Sequence, residues 1–388
     1  MTPAARTQAA IELLDGIAAS ARDGGAAADV LIARFFAARR YAGSKDRRAV
    51  RELVYEAIRL MGRRPHSGRA AMLALVAAKP ELAETFDGTP YGPPAMAKGE
   101  PVADTGVAPK WLDLALRKSN LPGPEIAALL DRAPLDLRVN RLMASVDDVI
   151  AQYPTAERIA AVPDALRLPP DSTVAATAGH FEIQDAGSQL VTTAVRATSG
   201  MTVVDLCAGG GGKTLALAAA MGNDGRIVAS DTDRTRLQRL PPRADRAGVT
   251  IAETILLDPG NEAEALAGIV ADAVLVDAPC SGTGTWRRNP EGRWRLTPDR
   301  LQRLVETQAR LLDLGATLVR PGGALVHVVC SLLDAEGADQ VAAFLQRHRR
   351  WRAEMLDLGA GRPHGAGVRL TPRHDATDGF FVARLIAP

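Results

Sequence analysis

Residues 202–214, TVVDLCAGGGGKT, hold the start of an α/β domain in one line. The apolar run 202–206 reads as a buried strand. Gly209 to Gly212 form a glycine turn, and 213–221 opens a helix. Outward from this stretch the alternation repeats. Residues 225–230 form a second strand that ends at Asp231. Further strands are expected near 250–257, 272–276 and 324–329, with a long helix near 299–319. Upstream, FEIQDAGSQL at 181–190 leads into a helix. Such alternation implies a parallel, doubly wound sheet with right-handed crossovers. The C-terminal DGFFVARLIA, 378–387, is strand-like again and is expected to close the sheet edge.

The glycine loop admits three readings. A phosphate-binding P-loop needs Gly five residues before the Gly-Lys pair, and Cys207 stands there. A dinucleotide fingerprint counted from Gly209 would need Gly at 214, which is Thr214. An S-adenosylmethionine loop remains. In it Cys207, Ala208, Gly209, Gly210, Gly211, Gly212 and Lys213 bring backbone amides to the cofactor. Asp231 is placed to accept both ribose hydroxyls, although the same carboxylate would suit NAD. Asp258, after ILLD, is where an adenine amino group could be met; the alternative is a turn-forming Asp before Pro259.

Residues 274–290, VLVDAPCSGTGTWRRNP, carry the second cluster. Val274, Leu275 and Val276 are a buried strand, and Asp277 stands at its carboxyl end, where open α/β sheets bind ligands. Cys280 follows in a Gly/Ser loop, with Gly282 and Gly284 expected to let backbone pass close to a substrate. Trp286, Arg287, Arg288 and Asn289 combine a ring, two cations and an amide, suited to a base and its phosphates. A surface loop with one buried cysteine is the plain alternative.

The 388 residues suffice for two or three domains. The net charge is only +2, so nucleic-acid affinity must come from local basic patches. Residues 1–130 read as all-helical. The clearest helix, 46–61, places Val50, Leu53, Val54, Ala57, Ile58 and Met61 on one face. Its other face is basic: from Arg34 to Arg69 there are eleven Arg or Lys against Asp46, Glu52 and Glu56. This is either a solvated face or a phosphate-contacting patch. Residues 87–109 are rich in Gly and Pro and read as a loop, with a helix pair at 109–118 and 123–131 after it. Residues 134–180 read as a small α/β unit, with a strand at 135–140 and a helix capped by Ser145. The cysteines Cys207, Cys280 and Cys330 form no CxxC or Cys/His array, which argues against a metal and for reduced thiols in the cytoplasm. The N-terminus reads as an amphipathic helix rather than a signal peptide, and no apolar span could cross a membrane.

With these residues in hand, the chain resembles the bacterial Fmu/Sun members of the Nol/Nop/Sun family of RNA cytosine-5 methyltransferases. LRVN, FEIQDAGSQL, DLCAGGGGKT, SDTD, VLVDAPCSGTGTWRRNPEGRWR, LVRPGG, VVCS and DGFF follow in that family's order from Pro134 onward. RRAVRELVYEAIRLMGRR, at 47–64, is similar to the NusB-like RNA-binding domain of the subgroup acting on small-subunit ribosomal RNA. The resemblance implies a Rossmann-like methyltransferase domain at 181–388, an RNA-binding small unit at 134–180 and a NusB-like domain at 1–130. It implies S-adenosylmethionine as cofactor, RNA as partner, a monomer, no metal and no membrane. Cys330 would be the nucleophile, Cys280 would assist release, and Asp277 would hold the target cytosine and line the cofactor site with Cys207–Lys213, Asp231 and Asp258.

Three positions depart from the family. Gly210 stands where Pro is common, Val329 where Thr is common, and Glu336-Gly337 where an acidic-Asn pair is expected. Gly210 would loosen the loop, and none of the three removes a reacting group. The chemistry explains two thiols. Carbon 5 of cytosine becomes nucleophilic once a thiolate adds at carbon 6, and the adduct must then be released. Cys207 is expected to pack with its backbone at the cofactor. His327 lies three residues before Cys330 on an alternating strand, so it points away and is expected to be structural. The alternatives are a tRNA methyltransferase, a nucleotide-dependent oxidoreductase, disfavoured by the failed fingerprint, and a non-catalytic RNA-binding assembly factor, disfavoured by Cys280, Cys330 and Asp277.

Overall fold

The computed structural model describes residues 1–169, 172–175 and 178–388. The other four positions belong to the expected 134–180 unit and lie outside the described residues. The chain divides into two units, one of residues 1–131 with 285–297, the other of 132–284 with 298–388. The segment 285–297, assigned from sequence to the domain 181–388, thus belongs with the helices.

The first unit is built from Pro3–Asp23, Ala28–Ala37, Ser44–Leu60, Gly68–Ala78, Lys110–Lys118 and Gly123–Ala128. Thr2 caps the first helix by accepting the Ala5 N–H at 3.1 Å, with Pro3 in its first turn. The helix 44–60 turns Val50, Val54, Ala57 and Ile58 into the core, where they meet Leu13, Leu14, Ile17 and Met72. Leu53 is only partly covered. Helices 3–23 and 68–78 cross closely at Gly68, where a Cβ would come within 2.1 Å of the Ile11 carbonyl. Residues 87–109 form neither helix nor strand, and an isolated bridge pairs Thr105 with Met61.

Segment 285–297 holds the ends of three of these helices. The Glu291 carboxylate accepts the Ala28 N–H at 2.9 Å, at the start of helix 28–37. Arg293 donates to the carbonyls of Ile58, Arg59 and Met61 at 2.7, 3.1 and 2.7 Å, at the end of helix 44–60. Arg295 donates to those of Ser20, in the last turn of helix 3–23, and of Gly25 and Ala26 just past it. A helix leaves four carbonyls and four N–H groups unpaired at its ends, and this one segment supplies partners of the right sign at each. Burial pulls the Arg293 guanidinium down to about 9.

In the second unit, Leu135–Val139, Glu157–Arg158, Ala165–Leu168 and Phe181–Ile183 form a small antiparallel sheet. Ser145 and Asp148 make a capping box on helix Val146–Gln152. Leu137, Val139, Val149, Leu166 and Phe181 are its core. Among the described residues the main sheet has nine strands. Five run parallel in the order Val319–Val329, Ala271–Asp277, Thr202–Asp205, Arg226–Asp231, Ala252–Leu256. Helices cover both faces. Leu190, Leu215 and Leu240 pack on one side, and Leu311, Leu312 and Phe344 on the other. This is the α/β class read from the alternation.

The last strand corrects the expectation of a closing edge. Phe380–Ile386 lies inside the sheet, antiparallel between Val319–Val329 and Gly367–Leu370. Phe380, Phe381, Val382, Ala383, Leu385 and Ile386 are all buried. Such a run, apolar at every position but Arg384, belongs to a strand covered on both faces. The edges fall to Ala252–Leu256, with Glu253 and Thr254 exposed, and to the three-residue Arg362–His364. No helix among the described residues is long and apolar enough to cross a membrane.

Candidate active site

Asp205, Asp231, Asp277 and Cys330 arrive at one edge because each ends, or directly follows, a parallel strand. Open sheets bind ligands at that edge. The glycine loop is pinned from several sides. The Asp231 carboxylate accepts the Gly209 N–H at 2.7 Å and, on its other oxygen, the Asp233 N–H at 2.7 Å. Ala208 N–H reaches the Ser230 carbonyl at 2.8 Å, and Arg243 donates to the Gly210 carbonyl. Gly211 has φ 84°, and a Cβ on it would lie 2.2 Å from Leu240. Gly210 has no such requirement, and the Arg243 contact holds the loop where the sequence suggested looseness. The Asp231 oxygens each keep a lone pair for a further donor.

Asp205 is fully buried, and burial pushes its carboxyl up to about 7, against the Thr214 hydroxyl that donates to it at 2.7 Å. Its second oxygen has no hydrogen-bond partner. Lys213 pairs with Asp277 at 2.6 Å. Burial works against the Lys213 ammonium, but the Asp277 carboxylate outweighs it and holds the ammonium above its ordinary value. Three carboxylates on neighbouring strands with one buried lysine make a site suited to a cation. An amino acid bearing an ammonium and a sulfonium fits that charge, and Asp231 fits a ribose.

Cys280 and Cys330 face each other with sulfurs 3.4 Å apart. The hydrogen bond to Cys330 and then burial push the Cys280 thiol well above its usual range. The two loops are joined through the backbone, since Gly284 N–H donates to the Cys330 carbonyl at 3.1 Å. A further residue, Glu336, lies between them. Fully buried, it accepts from Ser281 N–H at 2.8 Å and Ser331 Oγ at 2.5 Å. The sequence offered one signal for this, a serine directly after each cysteine.

The other residues singled out from the sequence take structural places, as expected for Cys207 and His327 and against expectation for Trp286, Arg287 and Gly284. Trp286 is 1% exposed and Arg287 5%, so neither offers an open face to a base or phosphate. They sit in the segment that caps the helical unit; Arg288 is half-buried and Asn289 exposed. Gly284 approaches backbone rather than substrate: a Cβ there would lie 2.0 Å from the Gly379 carbonyl. Asp258 is exposed, and its carbonyl accepts the Asn261 N–H in a turn. Cys207 packs in the apolar layer beside Val204 and Leu257, where burial raises its thiol well above the usual range. His327 is fully buried, joined through Nε2 to the Glu336 carbonyl at 2.9 Å, and burial pulls it down to about 4.

The departures have packing reasons. Val329 is buried in the apolar layer with Val276 and Phe381. At Gly337 a Cβ would come within 2.8 Å of the Phe381 ring, so the ring takes the space an Asn would need. The other quoted motifs also meet. Asn140 donates to the carbonyls of Gly179 and Ala247 at 2.9 and 2.8 Å. Asp185 caps helix Ala186–Thr193 and accepts the Asp378 N–H at 3.0 Å.

Residues 192–386, half of the chain, match the family described as 16S rRNA methyltransferase RsmB/F. The chain is 37% identical over 271 residues to the probable ribosomal RNA small subunit methyltransferase B of Synechocystis sp., covering 65% of this chain and 59% of that protein. It is 34% identical over 308 residues to the ribosomal RNA small subunit methyltransferase B of Xanthomonas campestris, covering 75% and 69%. It therefore spans between three fifths and about two thirds of these relatives. A solved methyltransferase homolog from Pyrococcus horikoshii superposes with a TM-score of 0.61 at 26% identity, over 72% of this chain and all of that one. The sheet is thus of the Rossmann-like methyltransferase type, and the chain belongs to the 16S rRNA methyltransferase RsmB/F family.

Proposed function

We propose that the protein methylates carbon 5 of a cytosine in small-subunit ribosomal RNA through a covalent cysteine–cytosine adduct. The observation that carries this reading is the pair of thiols 3.4 Å apart beside Asp277. S-adenosylmethionine, when bound, supplies the methyl group from its sulfonium. Residues 207–213, Asp231 and Asp277 would hold it.

Cys330 adds as thiolate to carbon 6, and the displaced electron pair makes carbon 5 nucleophilic. Asp277 would accept a hydrogen bond from the amino group of the ring, and the Lys213 ammonium paired with it would offset the negative charge that addition builds. After methyl transfer the carbon-5 proton must leave, and the carbon 6–sulfur bond then breaks to free Cys330. Cys280 would assist this release, and as a thiol it must first give up its own proton before it can take the one from carbon 5.

The helical unit would hold the RNA. Arg34, Arg40, Lys45, Arg48, Arg51 and Arg64 are exposed and make no ion pair among the described residues. Arg39, Arg63 and Arg69 are instead paired with Glu12, Asp104 and Glu100. Unpaired cations are free to replace counterions on a phosphate backbone. Mapping 5-methylcytosine in ribosomal RNA from a strain lacking the gene tests the reading. One missing modification in the small subunit, restored by the purified protein with S-adenosylmethionine, is expected. An unchanged ribosomal map with a loss in tRNA would move the substrate to tRNA. No loss anywhere would leave a binding protein.

A further inference from the structure

We propose that Glu336 is a positioning residue that holds Cys280 and Cys330 at reacting distance by binding the residue after each of them. Its side chain gathers donors from both loops. Oε1 accepts Ser281 N–H at 2.8 Å and Gln308 Nε2 at 3.0 Å. Oε2 accepts Ser331 Oγ at 2.5 Å and the Ser281 hydroxyl. Gln308 extends the grip by donating to the Pro279 carbonyl, one residue before Cys280, at 2.9 Å. The two hydroxyls also meet at 3.1 Å. The residues after Cys280 and Cys330 therefore bind one carboxyl group directly, and Pro279 is tied to it through Gln308.

Glu336 is fully buried, so it does not touch substrate and acts through its neighbours. Four donors compensate its removal from water, which an isolated carboxylate could not tolerate. The donor set also explains why an amide would not serve. A Gln at 336 could keep its oxygen toward Ser281 N–H and Gln308, but its NH2 would replace the acceptor to which both serine hydroxyls donate, so those two charge-assisted bonds would be lost. His327 and Gly337 complete the seat. The Nε2 of His327 meets the Glu336 carbonyl at 2.9 Å, and Phe381 fills the space beside Gly337. The carboxyl group is thus fixed from the sheet side while it holds the loops. Displacing one thiol relative to the other costs rate steeply, because the two steps need the same ring atoms in reach of both.

This inference rests on the reading of the two thiols as the reacting pair, and its test separates the two. Dibromobimane joins two thiols only when both reach one small molecule. Its bridge between Cys280 and Cys330, read by mass spectrometry of the whole protein, reports their spacing without RNA or cofactor. Glu336→Gln should slow bridging on the order of tenfold, with Glu336→Asp recovering part of it. With RNA and S-adenosylmethionine, Glu336→Gln should retain a larger fraction of protein as RNA adduct per turnover, while cofactor affinity by calorimetry stays at the wild-type value. If Glu336→Gln gives no cooperative melt, the pair Ser281→Ala and Ser331→Ala carries the same test without touching a buried charge. Wild-type bridging and wild-type adduct fraction in a folded variant would overturn the proposal. Slow bridging together with no methylation by the wild type would uphold the positioning role and remove the functional reading.

Discussion

The sulfur atoms of Cys280 and Cys330 lie 3.4 Å apart although fifty residues separate them in sequence. The parallel pairing of strands 271–277 and 319–329 brings this about. Asp277 is in register with Val328, so the loops that leave the two strands start side by side. Backbone and side chain then join them, through Gly284 to the Cys330 carbonyl and through Glu336 to both serines.

Asp231 should matter to the cofactor and to the loop together. It holds the Gly209 N–H and is the acid placed for a ribose. Asp231→Ala is expected to weaken S-adenosylmethionine by roughly tenfold or more in calorimetry, the worth of one or two hydrogen bonds to a charged group. An unchanged affinity would take Asp231 out of the site.

Arg293 is a structural arginine inside a motif that resembles catalytic sequence. Arg293→Ala leaves the carbonyls of Ile58, Arg59 and Met61 without their partner and opens a buried cavity. A loss of roughly 3 kcal/mol is expected in denaturant unfolding followed by helical circular dichroism. A loss within about 0.5 kcal/mol, the range of ordinary surface changes, would contradict the capping role.

The basic patch should carry a salt-dependent part of RNA affinity. Reversing Arg40, Arg48 and Arg51 to Glu should flatten the slope of log affinity against log salt, by an amount set by the phosphates they neutralise. A variant with the wild-type slope would make the patch a solvated surface.

His327 is buried and neutral, with its affinity for protons pulled from the ordinary 6.5 to about 4. The folded state therefore binds fewer protons than the unfolded chain in this window. The neutral ring's contribution is present above pH 6.5 and is lost as pH falls through about 4. His327→Gln, which retains a donor toward the Glu336 carbonyl, should melt with a flatter pH dependence between pH 6.5 and 4. Parallel melting curves for variant and wild type would show that another group governs acid unfolding.

The strand alternation made the sheet legible, because buried parallel strands are short apolar runs whatever surrounds them. The acids and thiols at the strand ends were legible for the same reason. The position of Phe380–Ile386 was not, since an apolar run does not say which strand it pairs with. Trp286 and Arg287 have residue types fit for RNA, and only their burial shows otherwise. The capping by Glu291, Arg293 and Arg295 could not be read either, as their partners lie more than 200 residues away. Glu336 was noticed only as half of an expected pair, because its role depends on two loops that meet in space.

The two-thiol chemistry is tested most directly by a denaturing gel of protein with labelled RNA, with and without S-adenosylmethionine. Cys280→Ala should accumulate a protein–RNA adduct that survives denaturation and requires the cofactor, because attack and methyl transfer proceed while release stalls. Cys330→Ala and the double variant should form no adduct, and Cys330→Ala should not methylate. An adduct that builds up in Cys330→Ala and needs Cys280 would exchange the two roles. Full methylation by both single variants would contradict covalent catalysis and leave the thiols as packing residues.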